Sequence, residues 1–307
     1  MLARIFLIAS VFAASPLDAA EPPITSATFT LDGKSIVVGS QSGLKVYALP
    51  DLAKQRTLDT SLTHINDLAF SPDGKTIAAV GGQAAESGDI ELLAWPELSL
   101  VRRQTVGEDL LYRVAWRNDC EMIGVAGSDH SISLLDGSAH IVHQLEGHSQ
   151  DVVAVAFLPD GYFVSGSRDS TLRVWQQSSK DLIRTLNNHT NEIHDVAARP
   201  GPTKPPHVIA SSSADRTVRF WLPVRGRLMR FAKLPSAALD IEWTSDGAML
   251  VAACADGHVR IIDPDTVQIV RDVEVGNGWL YTIAISPNGD DLFVGGVNGL
   301  MQVVKIR

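Results

Sequence analysis

Residues 147–175 read GHSQDVVAVAFLPDGYFVSGSRDSTLRVW. An apolar run, a Pro-Asp-Gly turn, a second apolar run, another turn and an alternating run ending in Trp175 follow one another here. Alternation of apolar and polar side chains marks half-buried antiparallel strands. Asp-Gly suits tight hairpins because it tolerates positive φ. The shape recurs along the chain. Its seven first runs are ITSATFT, INDLAFS, LYRVAWR, VVAVAFL, IHDVAAR, ALDIEWT and LYTIAIS. They place Phe29, Phe70, Trp116, Phe157, Ala198, Trp243 and Ile285 at equivalent points, with steps of 41, 46, 41, 41, 45 and 42 residues. The two longest steps hold insertions, QAAES at 83–87 and GPTKPPH at 201–207. A weaker fourth run closes six repeats, as in KQRTLD, IVHQLE and LIRTLN.

A period near 40 with four short strands is the pattern of a β-propeller blade. One four-stranded sheet cannot bury both faces alone, but a ring of packed sheets can. The expected fold is therefore all-β: a seven-bladed β-propeller with four antiparallel strands per blade. The last blade is expected to have three strands, because the sequence ends at Arg307 after MQVVKIR. Residues 21–307 form one domain in this reading. Its blades fall at about 24–60, 61–107, 108–146, 147–187, 188–234, 235–276 and 277–307.

Blades four and five, GHSQDVVAVAFLPDGYFVSGSRDSTLRVW and NHTNEIHDVAARPGPTKPPHVIASSSADRTVRFW, resemble the WD-repeat (WD40) family. In that family His, Ser or Thr, Asp and Trp form a hydrogen-bonded chain within a blade. The resemblance implies such structural tetrads at His148, Ser165, Asp169 and Trp175, and at His189, Ser211, Asp215 and Trp221. A Ser-His-Asp set also suggests a hydrolytic triad, but recurrence in two successive blades argues for a structural role. The other five blades carry Tyr47, Leu93, Leu135, Ile262 and Val304 at the Trp position. They lack the tetrad His and are expected to rely on apolar packing.

The chain of 307 residues carries a formal charge of −9 and no Lys/Arg cluster, which offers no footprint for nucleic acid. Its N-terminus, MLARIFLIASVFAASPLDAA, has one early Arg, a ten-residue apolar run and a small-residue end. This is the layout of a secretory signal peptide over 1–20, with export to a periplasm or exterior. The expectation is an exported, bacterial-type member of the family, without a transmembrane anchor in the mature chain. Cys120 and Cys254 fall three blades apart, beyond disulfide reach, so two free thiols are expected. Motifs for covalent haem, zinc proteases, nucleotide phosphates or EF-hand calcium are absent, and no metal or cofactor is expected.

In WD-repeats, partners dock on the face where the innermost strand begins. Positions six and four residues before the equivalent point, with the residue before the turn Asp, supply the candidates. They are Trp279, Tyr281, Tyr112, Arg168, His64, Asn66, Asp151, Glu192 and His194. Aromatic and Arg side chains on a rim are the usual interface anchors. The resulting expectation is a monomeric, non-enzymatic scaffold for protein partners. The alternative is an extracytoplasmic or redox-associated propeller enzyme with its site at the channel mouth.

Overall fold

A computed structural model describes residues 21–58, 60–201 and 205–306. The expected signal peptide and residues 202–204 of the longer insertion lie outside the described residues. The fold is a seven-bladed propeller of antiparallel sheets, with four strands in each of the first six blades and three in the last. The inner strands are Ile24–Phe29, His64–Phe70, Leu111–Trp116, Val152–Phe157, Ile193–Ala198, Ala238–Trp243 and Leu280–Ile285. Each packs against the inner strands of both neighbouring blades, and the first packs on the seventh to close the ring.

Seven apolar clusters hold the ring, one at each blade interface. Leu172, Val174, Ile193 and Val196 join blade four to blade five. Ile24, Phe29, Phe293 and Ala284 join blade one to blade seven. Valine and isoleucine suit these positions because branched side chains fill the pleated surface of a sheet. The first turn is tight in every blade but the fifth. Gly33, Gly74, Gly161, Gly247 and Gly289 all sit at positive φ there, and Cys120 takes that position in blade three with φ 62°.

Blade seven ends on the strand Met301–Lys305. Val303 and Val304 remain half-buried, whereas Val174 and Trp175 at the same place in blade four are covered. The difference follows from the missing outer strand. Among the described residues no helix is long and apolar enough to cross a membrane.

Both cysteines are free thiols. Cys254 is fully buried, and burial pushes its thiol up to about 11. Cys120 is half-buried on a surface turn. A disulfide-exchange reagent is therefore expected to titrate one thiol quickly and the second only after denaturant is added. Fast reaction of both in the folded protein would contradict this packing.

Candidate functional site: a bulged funnel above a charged waist

Every inner strand breaks its ladder at the same point. The partners of Ile65 and Asp67 are consecutive, leaving Asn66 extra. The same skip isolates Thr25, Tyr112, Val153, His194, Leu239 and Tyr281. A bulge leaves its extra residue unpaired and re-aims its side chain. Repeated seven times around the ring, the bulge puts all seven of these residues on the wall of one funnel of about 670 Å³. Arg168, Glu192, Ala237 and Trp279 add to the wall.

One side of the funnel is charged. Arg168 Nη1 donates to Asp151 Oδ2 at 2.9 Å, and the guanidinium lies 5.1 Å from the Tyr112 ring centre. Glu192 stands 3.8 Å away, and the Tyr112 hydroxyl donates to Asp151 at 3.2 Å. Burial and the Asp151 charge raise the Tyr112 phenol above its ordinary value. His194 Nδ1 hydrogen-bonds the Ala238 carbonyl at 2.9 Å, which fixes its ring across the next blade. The opposite side is apolar. Trp279 is 53% exposed and packs edge-on against Tyr281, with ring centres 5.9 Å apart. Gly278 precedes it at φ 103°, a conformation that favours glycine.

The candidate residues thus converge, with one exception. Asn66, Tyr112, Arg168, Glu192, His194, Trp279 and Tyr281 line the funnel, and Asp151 stands behind it holding Arg168. His64 lies outside the lining and is half-buried at the start of its strand.

The residue after each bulge forms a layer that the sequence reading did not single out: Ser26, Asp67, Arg113, Ala154, Asp195, Asp240 and Thr282. Arg113 reaches across the channel to Asp195 at 2.5 Å, Asp240 at 3.0 Å and Asp67 at 3.7 Å. The other oxygens of these carboxylates accept backbone N–H groups of the following blade. Asp67 takes Val114, Asp195 takes Ile241 and Asp240 takes Ile283. Glu242 does the same with Ile285 at 2.9 Å. Four carboxylates therefore staple neighbouring blades, and one cation crosses between them. Arg113 lines both the funnel and a second cavity of about 530 Å³ below it, so its side chain marks the waist between them. Burial pushes Asp67 up to about 6, Asp195 to about 7 and Glu242 to about 8, with the Asp240 charge also raising Glu242. Reading the residue after each bulge across all repeats would have revealed this layer.

Both tetrads are formed. In blade five, Trp221 Nε1 donates to Ser211 Oγ at 2.9 Å, and Ser211 meets His189 Nε2 at 2.8 Å. His189 Nδ1 meets Asp215 at 2.8 Å. Blade four repeats the chain through Trp175, Ser165, His148 and Asp169 at 2.9, 2.8 and 2.9 Å. An ionised carboxylate can only accept, so the imidazole donates from Nδ1 and accepts the Ser hydroxyl at Nε2. Burial lowers His189 to about 4, which keeps it neutral. Desolvation would raise Asp215, but the Thr217 hydroxyl and His189 outweigh it and hold the group at about 2. Thr171 and Thr217 also donate to their aspartates, both at 2.6 Å, and were not anticipated. With serine committed to indole and imidazole inside a blade, the set has no open position for a substrate.

Two of the remaining blades add polar ties to the apolar packing expected of them. Buried Glu91 in blade two accepts from Thr60 Oγ1 at 2.6 Å and from the Ser61 backbone at 3.1 Å. Buried Arg260 in blade six bonds Asp256 at 2.7 and 2.9 Å and Asp272 at 3.1 Å. Each group ties its third strand to a neighbouring strand or loop, Glu91 through hydroxyl and amide donors and Arg260 through two carboxylates.

A family model described as WD domain, G-beta repeat matches residues 54–85, 139–176 and 180–221. The chain carries WD40 repeats. A second model, the WD40 domain of anaphase-promoting complex subunit 4, matches residues 227–286 of the propeller. The WD40 propeller is 30% identical over 162 residues to the nuclear distribution protein PAC1 of Arthroderma otae, covering 48% of this chain and 34% of that protein. It is 29% identical over 197 residues to pre-mRNA-processing factor 19 of Oryza sativa, covering 61% and 37%. It is 26% identical over 197 residues to the WD repeat-containing protein 26 homolog of Arabidopsis thaliana, covering 62% and 32%. These relatives are eukaryotic, which lends no support to a bacterial-type member, and the matches span about a third of their length.

Proposed function

We propose that this WD40 propeller is an exported, monomeric platform that binds protein partners through the bulged funnel. The observation that carries the reading is the exposed Trp279–Tyr281 pair, facing the ordered Tyr112–Arg168–Asp151 group across one concave surface. Aromatic and arginine side chains around a desolvable pocket are the usual anchors of protein interfaces. Relatives named for nuclear distribution and pre-mRNA processing support reuse of the fold as a scaffold. The signal-like N-terminus supports export. The raised carboxylates of the waist would suit acid–base chemistry. However, their bonds to the next blade's backbone favour a structural role.

A photo-crosslinking residue at Trp279 or Arg168, tested in the producing cells, is expected to capture a discrete protein. The same residue at Lys75, on the opposite face, should capture none. Trp279→Ala should abolish capture while shifting stability by no more than about 0.5 kcal/mol, because the ring is exposed. Equal capture at Lys75, or none at either funnel site with abundant protein, would reject the funnel as the docking face. Cell fractionation tests export separately: retention of the full-length chain inside the cell would remove that part of the reading.

A further inference from the structure

The first hairpin of blade five is the longest of its kind. Ten residues separate Ile193–Ala198 from Ile209–Ser213, where the other blades use four to six. Its far end brings Pro205, Pro206 and His207 beside Asp160, in the first turn of blade four. With Tyr162, Leu222, Val224 and Arg225 they enclose a cavity of about 330 Å³ on the face opposite the funnel. Two polar atoms on this wall are buried without a hydrogen-bond partner, Asp160 Oδ1 and His207 Nε2. The His207 side chain is only 6% exposed, and its Nε2 stands 3.6 Å from Asp160 Oδ2. That separation exceeds a formed N–H···O bond. Buried polar atoms are normally satisfied, and an unmet pair calls for an explanation such as a missing ligand.

The chemistry of the wall defines the ligand. Ionised Asp160 can only accept, so the ligand must bring a donor. A carboxylate at this position disfavours anions, and one His with one Asp is too few for a structural metal site. The remaining lining is largely apolar, from Pro205, Pro206, Leu222 and Val224. A volume of about 330 Å³ lies at the small end of small-molecule sites. Arg117 and Lys180 line an adjoining cavity that Asp160 also borders, so the carboxylate has cations on its far side. We propose that this cavity binds a small free molecule consisting of an apolar ring with one hydroxyl or amine. The donor bonds Asp160 and the ring packs on the proline pair.

Ligand-detected and protein-detected NMR on the full chain tests this with p-cresol and with toluene, which has the same ring but no donor. Saturable binding of p-cresol with shifts at His207, at least about tenfold tighter than toluene, is expected for one charge-assisted hydrogen bond. Asp160→Ala, which removes the acceptor, should bring p-cresol down to about the affinity of toluene while leaving the thermal midpoint within a few degrees. If that variant fails to fold, the comparison of p-cresol with toluene on the native chain still decides. Equal binding of both probes, no saturable binding of either, or a soaked crystal showing only water between Asp160 and His207 would overturn the proposal.

Discussion

Replacing Arg113 with methionine is expected to cost about 2–4 kcal/mol of folding stability at pH 8. Removing one partner of a buried ion pair typically costs about 3–5 kcal/mol, because it strands the opposite charge. The lower range applies because 23% of the Arg113 side chain still meets solvent in the channel. Asp67, Asp195 and Asp240 would then face one another without a cation. Protonation is their only relief, which gives the effect a sign with pH. Asp67, Asp195 and Glu242 titrate at about 6, 7 and 8 in the fold. Unfolded carboxyls titrate near about 4. The folded state therefore holds these protons longer than the unfolded one. Their contribution is fully present below about pH 4 and is lost as pH rises through 6 to 8. Removing Arg113 raises these carboxyls further, so the deficit should be much smaller at pH 5 than at pH 8. Urea denaturation of both proteins at the two pH values measures it. Adding Asp195→Asn and Asp240→Asn to the variant should recover part of the loss at pH 8. An equal deficit at both pH values would remove charge compensation as the role of Arg113.

Asp215→Ala is expected to be nearly as damaging, at about 3 kcal/mol. The carboxylate accepts from His189 Nδ1, the Thr217 hydroxyl, the Thr217 backbone and the Thr190 backbone. A buried donor stripped of its acceptor costs about 1–3 kcal/mol, while water can replace the partner of the more exposed Thr190. The acid limb should also change. Asp215 titrates at about 2 in the fold, below its unfolded value, so its contribution is lost as pH falls through about 4 toward 2. His189 is held neutral down to about 4, so stability falls as pH drops from about 6.5 to 4, where only the unfolded imidazole charges. The variant drops the Asp215 loss, but without the carboxylate that raises it His189 is lowered further, so the imidazole loss extends below pH 4. Thermal melts from pH 7 to pH 3 would show this as a curve lower at every pH that falls from about pH 6.5 downward without a separate Asp215 step near pH 4 to 2. A variant within about 0.5 kcal/mol of the native chain would mean that Thr217, Ser211 and solvent satisfy the imidazole without Asp215.

The repeat period was legible because each blade must solve the same burial problem, and only a repeated strand pattern solves it. Gly-containing turns, alternating third strands and the tetrads of blades four and five are local consequences of that constraint. Some stand at fixed sequence spacing, as Ser165 and Ser211 do, each ten residues before its Trp. The rim residues were also reachable in large part, because seven equivalent positions on seven equivalent strands meet around one axis. Trp279 and Tyr281 were found in this way.

What the tertiary structure decided lies between blades. No spacing within one repeat shows that Arg113 spans the channel to Asp195 and Asp240, since those partners are 82 and 127 residues away in the chain. Nor does it show that the bulge turns Asn66 and Tyr112 inward while His64 stays aside. Glu91 and Arg260 tie their third strands through partners of their own, and Asp160 meets His207 only because one hairpin is longer than the rest. The sequence determined the blade, because strand pairing and burial act over a few residues at a time. The structure alone decided how the site is assembled, because closing the ring brings charges and pocket walls from different blades within ångströms of one another.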